Sequence, residues 1–132
     1  MARMPEPPDG YESGIDFNDE SIPTHVRRDE ALRMMQVAQR AAKERGITWA
    51  RVEAHYYSVK ARETFELYEK GTPATVIQQV IKGMPDTNAA LETRLAEEVG
   101  YKNAVEAIQC FKLIVRVLEA DIDRDWNAQK RM

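Results

Sequence analysis

The chain has 132 residues, a formal net charge of −3, 43% hydrophobic residues and 31% charged residues. This is the length of one ordinary domain with a buried core. The single cysteine, Cys110, excludes an internal disulfide and a Cys-rich zinc site. No apolar run approaches the ~20 residues that span a bilayer, and the N-terminus lacks the apolar core of a signal peptide. We therefore expect a cytoplasmic protein without a membrane association.

Residues 1–26 are rich in Pro, Gly, Asp, Glu and Ser and show no helical period, which predicts a disordered acidic arm before a single helical domain over residues 27–132. Its segment GIDFNDESIP (residues 14–23) resembles the acidic tip of bacterial single-stranded-DNA-binding proteins. The resemblance implies a peptide that docks into a basic pocket of a partner, whereas the other interpretation is a solvated acidic segment. The candidate partner-binding residues are Ile15, Asp16, Phe17, Asp19, Glu20 and Ile22.

Two helices are predicted between residues 29 and 71. The first begins near Asp29 and ends at Gly46; the second has Thr48 as its N-cap and ends at Gly71. Two apolar stripes run along the second helix, so we expect it to contact two neighbours. One stripe is Trp49, Val52, Tyr56 and Val59, and the other is Tyr57, Ala61, Phe65 and Tyr68.

A short helix and a long helix complete the pattern. Thr72 is the expected N-cap of the short helix and Gly83 its end, with Val76, Ile77, Val80 and Ile81 facing inward. No proline interrupts the region from Asp86 to Trp126, which predicts one long helix bent at Gly100, with two separate helices as the alternative. The expected fold is all-α, a bundle of four to five helices.

The long helix predicts a homodimer. Between Ile108 and Leu118 its only polar residues lie on one narrow stripe, so more than one of its faces is apolar. Because soluble monomers rarely expose a large apolar patch, a second copy of the helix is the expected cover. One set of residues forms the core and the other the interface: either Tyr101, Ala104, Ile108, Phe111, Val115, Leu118 and Ile122, or Leu113, Ile114 and Val117.

The start of the helical region is basic and predicts an alternative function, nucleic-acid binding. Lysine and arginine side chains that neutralise phosphates supply most of the affinity of such proteins. Acidic residues are interleaved with the basic ones, which a solvated helix face would also show. The candidate residues are Arg27, Arg28, Arg33, Arg40, Lys43, Arg45 and Arg51.

No catalytic or metal motif is found along the chain. His25 and His55 have no histidine or cysteine at ligand spacing. The acidic run at residues 121–125 has the first spacings of a calcium-binding loop, but Trp126 stands where that loop needs glycine. We expect Cys110 to be a small core residue. The sequence thus predicts a protein that is not an enzyme and needs no cofactor.

The chain between Tyr56 and Trp126 resembles small all-helical accessory proteins of tailed bacteriophages, in the general texture of segments such as YYSVKARETFELYEKG and AVEAIQCFKLIVRVLEAD. The resemblance implies the cytoplasm of a bacterial host. It also implies a non-catalytic interaction module that assists a nucleoprotein machine or inhibits a host defence complex such as a CRISPR effector. A nucleic-acid-binding accessory of replication or recombination is the alternative.

Overall fold

The structure, a computed structural model, describes residues 3–131. Three helices account for most of this range: α1 (Thr24–Glu69), α2 (Ala74–Ile81) and α3 (Pro85–Lys130). No strand occurs among the described residues. The expected all-α class is therefore confirmed, whereas the chain has three helices in place of the predicted four to five.

Helix α1 is continuous through the position where two helices were expected. Gly46 does not adopt the positive φ of a helix end, and the Thr48 hydroxyl donates to the carbonyl of Glu44 (3.1 Å) instead of capping a new helix. A Cβ atom at position 46 would lie 3.3 Å from the ring of Tyr101. The glycine therefore allows a close ring contact inside the helix, at the cost of about 1 kcal/mol in helix propensity.

The end of α1 at Gly71 agrees with the sequence. Gly71 has a φ of 83°, and the amide of Thr72 donates to the carbonyl of Leu67 (3.1 Å), as in a helix terminated by a left-handed glycine. Helix α2 follows after Pro73 and has no side-chain cap, so the expected N-cap role of Thr72 is wrong.

The short helix α2 buries fewer side chains than its pattern predicts. Ile77 and Ile81 are buried, whereas Val76 and Val80 are exposed. Two residues four apart mark one narrow line on a helix, so α2 has a single line of contact. Two of its four apolar residues are left on the surface.

Helix α3 is continuous through Gly100, as the one-helix prediction required, and the two-helix alternative is wrong. A Cβ atom at position 100 would lie 3.0 Å from a guanidinium nitrogen of Arg45. Here too, the glycine lies beside a close neighbour within a regular helix.

The chain folds into two compact units, where the sequence predicted one helical domain over residues 27–132. Unit 1 contains the residues up to Ala42 and those from Lys102 onward; unit 2 contains Lys43–Tyr101. The two long helices contribute residues to both units, and α2 lies in unit 2.

The core of unit 1 includes part of the predicted disordered arm. Phe17 is buried, and its ring meets that of Phe111 edge to face, with centroids 6.1 Å apart. Met4, Tyr11 and Ile15 pack partly against the same cluster. Because α1 offers mainly small side chains to this core, the arm supplies the bulky ring that fills the space. Residues of this segment therefore contact the helical domain, where the sequence predicted a disordered acidic arm over residues 1–26. The remaining core residues are Ala31, Met34, Ala38, Ala107, Ile114, Val115 and Leu118.

Candidate interaction surface

Most of the residues expected at a dimer interface on α3 lie in the chain's own core. Both predicted sets contribute to it: Ala104, Phe111, Val115 and Leu118 from one set and Ile114 from the other. Leu113 and Val117 are exposed, and Tyr101, Ile108 and Ile122 are partly buried. The division into one core stripe and one interface stripe is therefore wrong, because the arm and α1 cover more than one face of α3 in unit 1.

The candidate partner-binding residues of the arm mainly stabilise the arm itself. The Asp19 carboxylate accepts hydrogen bonds from the hydroxyl (2.6 Å) and the amide (2.9 Å) of Ser21, and these bonds lower the pKa of Asp19. The Asp16 carboxylate accepts from the amide of Asn18 (2.9 Å). Phe17 is buried, Ile15 and Ile22 are partly buried, and Asp16 and Glu20 are exposed. A partner that needed Phe17 would have to extract it from the core.

The candidate nucleic-acid residues do not form a free basic patch. Arg27 is only 7% exposed and donates to the carbonyls of Phe17 (2.9 Å) and Ile22 (3.0 Å), so it anchors the arm. Arg28 pairs with Asp29, Arg33 with Glu30, and Arg45 with Glu97. Three of the predicted residues are exposed without such a role: Arg40, Lys43 and Arg51.

Groups with metal-binding or nucleophilic chemistry are not gathered into a site within residues 3–131. No cluster of three His, Cys, Asp or Glu side chains there has a geometry that could hold a metal ion. Cys110 is partly buried, and desolvation raises the pKa of its thiol. A raised thiol pKa lowers the fraction of the reactive thiolate.

Unit 2 uses one face of α1 for its own packing. Trp49 stacks on Tyr101, with ring centroids 5.3 Å apart, and Val59 is buried. Arg94 of α3 lies over the ring of Tyr56 (5.2 Å to the centroid) and pairs with Glu53 at 3.4 Å. The first predicted stripe of this region is therefore the core stripe.

The second predicted stripe is mostly uncovered in unit 2, where the guanidinium of Arg94 lies 5.6 Å from the centroid of the Tyr57 ring. Tyr57 is 53% exposed, Phe65 61% and Tyr68 70%, and Ala61 between them is also exposed. With Ile77 of α2 these side chains line an open apolar groove of about 580 Å³. Exposed aromatic rings grouped in this way are typical of a protein-binding surface.

The exposed stripe extends further along α1 than the sequence analysis recognised. Ile47 is 47% exposed, and Ala50 and Ala54 are exposed as well. From Ile47 to Tyr68 the steps are three, four, three, four, four and three residues, close to the spacing of a coiled-coil seam, with Phe65 beside the seam. This pattern was not recognised in the sequence because three of its residues are alanines, which are only weakly hydrophobic. We name the whole stripe the 47–68 face: Ile47, Ala50, Ala54, Tyr57, Ala61, Phe65 and Tyr68.

No helix within the described range is long and apolar enough to cross a membrane. Comparison of the chain with protein-family models, with curated proteins and with solved structures finds no match.

Proposed function

We propose that this protein is a non-catalytic interaction module that binds another protein chain through the 47–68 face. The observation that carries the proposal is the exposure of Tyr57, Phe65 and Tyr68 along one side of a helix whose opposite side is already packed. Tyrosine and phenylalanine are enriched at the centres of protein interfaces and depleted from surfaces that stay in water.

The groove beside this face suits a helical ligand. Residues of α1 line most of the groove and Ile77 of α2 lines the rest, so the apolar face of a helix could pack against the rings. Lys60 lines the same groove, so a charged group is available beside the rings. An apolar centre with a charged margin is the usual anatomy of a protein interface.

The partner suggested by the resemblance to phage accessory proteins, a nucleoprotein machine of a bacterial host, stays a prediction. The nucleic-acid alternative is not favoured, because Arg27, Arg28, Arg33 and Arg45 are engaged within the chain.

Site-specific photo-crosslinking in the cells that produce the protein tests the proposal. The photoreactive p-benzoylphenylalanine would replace Phe65 in one variant and Gln36, an exposed polar residue of the same helix, in the control. We expect a covalent adduct to a protein chain from position 65 only, and loss of that adduct when Tyr57→Lys is added. Absence of any adduct at position 65 beyond that at position 36 would refute an interaction through this face.

A further inference from the structure

The partner that best fits the 47–68 face is a second copy of the same face. We propose that two chains associate through residues 47–68 of α1 in an antiparallel helix pair. This inference rests on the proposed function and specifies its partner. It also places the homodimer interface on α1. The sequence predicted the interface on α3, but most of those residues are buried in the chain's own core.

The exposed area is of the size that a stable dimer needs. Tyr57, Phe65 and Tyr68 together expose roughly 300–400 Å², taking ~200 Å² for each aromatic side chain and the exposed fractions of 53%, 61% and 70%. Ile47 and the three alanines bring the face to roughly 600 Å², the upper end of the largest apolar patch on a typical monomer. A standard interface takes ~800 Å² from each partner, which leaves a polar margin of ordinary width.

The spacing of the face specifies a helix as its ligand. If Ile47, Ala54, Ala61 and Tyr68 are the a positions of a heptad, then Ala50, Tyr57 and Thr64 are the d positions. Three successive heptads without a polar residue larger than threonine match the seam of a two-stranded coiled coil. A helix with the same repeat is the complementary surface, and the chain itself provides one.

The flanking charges favour the antiparallel orientation. Charged side chains that border a coiled-coil seam, at the e and g positions, determine orientation and register. In a parallel pair, Glu53 would face Ser58 of the other chain and Lys60 would face Phe65, so no opposite charges meet. In an antiparallel pair, g positions face each other, and Glu53 of each chain, which also pairs with Arg94 of its own chain (3.4 Å), faces Lys60 of the other.

One register satisfies both charges. Shifting the antiparallel pair by one heptad would place Lys60 against its own copy in one direction, or Glu53 against its own copy in the other. In the register that joins Glu53 to Lys60, Tyr57 faces a small side chain, whereas Tyr68 at the end of the face meets the long side chain of Lys43, and Phe65 at an e position faces Glu44. The layers in that register pair Tyr57 with Ala54, Ala61 with Ala50, Thr64 with Ile47 and Tyr68 with Lys43.

Sedimentation velocity of the purified full chain tests the partner. At about 50 μM we expect the wild type to sediment as a dimer and Phe65→Glu as a monomer with unchanged helical content by circular dichroism, because the substitution sets an acidic side chain against Glu44 of the other chain. Leu113→Glu is the matched control, since Leu113 is also an exposed apolar helix residue but lies outside the 47–68 face. It should leave the dimer intact.

Two results would overturn the inference in different ways. A monomeric wild type that still gives a photo-adduct with a different protein at position 65 would reject the self-association and leave the proposed function standing. A dimer that dissociates with Leu113→Glu but not with Phe65→Glu would place the interface on α3 instead.

A single distance decides the orientation. In a Cys110→Ser background, a spin label at Glu69→Cys, an exposed residue at the end of α1, reports the separation of the two helix ends. The proposed register sets residue 69 opposite position 42 of the other chain, so the labels should be about 40 Å apart at ~1.5 Å rise per residue. A separation of about 20 Å or less would show a parallel pair and overturn the antiparallel proposal.

Discussion

Arg27 holds the acidic N-terminal segment against the start of α1. Its guanidinium group donates to two backbone carbonyls of that segment, and at 3.3 Å to the hydroxyl of Thr24. The sequence gives no sign of this role, because a basic residue among other basic residues is most simply assigned to the surface. The planar group with several fixed donors is what allows one side chain to satisfy three acceptors.

Arg27→Lys should destabilise the protein by about 1–3 kcal/mol. The ammonium group of lysine cannot reach all three acceptors of the Arg27 guanidinium, so buried carbonyl groups lose their hydrogen-bond donor. Urea unfolding measures the loss. Arg40→Lys, the same change at an exposed position, should alter the free energy of unfolding by no more than about 0.5 kcal/mol. Equal effects of the two substitutions would contradict the anchoring role.

The lowered pKa of Asp19 depends on Ser21. Because the hydroxyl and amide of Ser21 bond the charged carboxylate, Ser21→Ala should raise the pKa of Asp19 toward its ordinary value, as measured by NMR titration. The pKa of Glu12 is lowered mainly by the amide of Gly10, so it should not change and serves as the internal control.

The same shift determines a pH dependence. A carboxyl group with a depressed pKa in the folded state stabilises the fold above its unfolded pKa, and this contribution is lost as the pH falls through the folded value. The wild type should therefore lose more stability than Ser21→Ala on acidification below the ordinary pKa of an aspartate. If the free energy of unfolding of the two proteins fell equally with pH, the stabilising contribution of Asp19 would be contradicted.

At the scale of the helices, the glycines at positions 46, 71 and 100 show why a helix count is hard to read from sequence, and Gly46 is where a predicted helix end is wrong. A glycine that follows an apolar repeat looks the same in sequence whether it ends a helix or lies inside one. Gly71 ends α1 with a positive φ, whereas Gly46 and Gly100 lie beside Tyr101 and Arg45. Those neighbours come from more than fifty residues away in the chain, so local sequence does not reveal them.

Alanine substitution should separate the two kinds of glycine. Gly100→Ala should stabilise the protein by up to about 1 kcal/mol, because helix propensity improves and the half-exposed Arg45 side chain can move aside. Gly71→Ala should destabilise it by about 1–2 kcal/mol, since an alanine at a φ of 83° is strained. Thermal unfolding of both variants provides the comparison, and the same sign for both would be inconsistent with these assignments.

Phe17 tests whether the N-terminal segment belongs to the core. Phe17→Ala should destabilise the protein by about 3–5 kcal/mol, as for a buried ring. Trp126→Ala removes an exposed ring from the same unit and should cost about 1 kcal/mol or less. If Phe17→Ala were as mild as Trp126→Ala, the segment would be mobile in solution, as its composition predicted.

For the whole molecule, periodicity predicted the apolar faces but not which of them is covered. Helical spacing separated the Trp49 stripe from the Tyr57 stripe correctly, yet both have the same pattern and only contacts distinguish core from surface. The reverse error occurred on α3, where Ile114 and Phe111 were assigned to different sets, one for the core and one for a dimer interface, and both are buried. Whether an apolar face is buried depends on which other segments pack against it. One of these is the N-terminal arm, whose composition predicted neither helix nor strand.

Dimerisation through the 47–68 face would make the stability of the whole molecule depend on its concentration. Because only the folded state associates, the wild-type melting temperature should rise by about 2–4 °C for each tenfold increase in protein concentration. The melting temperature of Phe65→Glu should not depend on concentration. Calorimetry at two concentrations is sufficient, and a concentration-independent wild type would contradict the dimer.

The contact between the two ends of unit 1 also affects the order of events during synthesis. Asn103 donates to the carbonyl of Asp9 (3.1 Å), across 94 residues of sequence. The ring of Phe17 likewise cannot make its contact until Phe111 has been synthesised. A ribosome that adds ~5–20 residues per second needs roughly 5–20 s to bridge that interval. For much of that time the N-terminal segment is outside the exit tunnel while the surface it covers has not been made. A segment that is translated early is therefore among the last to reach its final place.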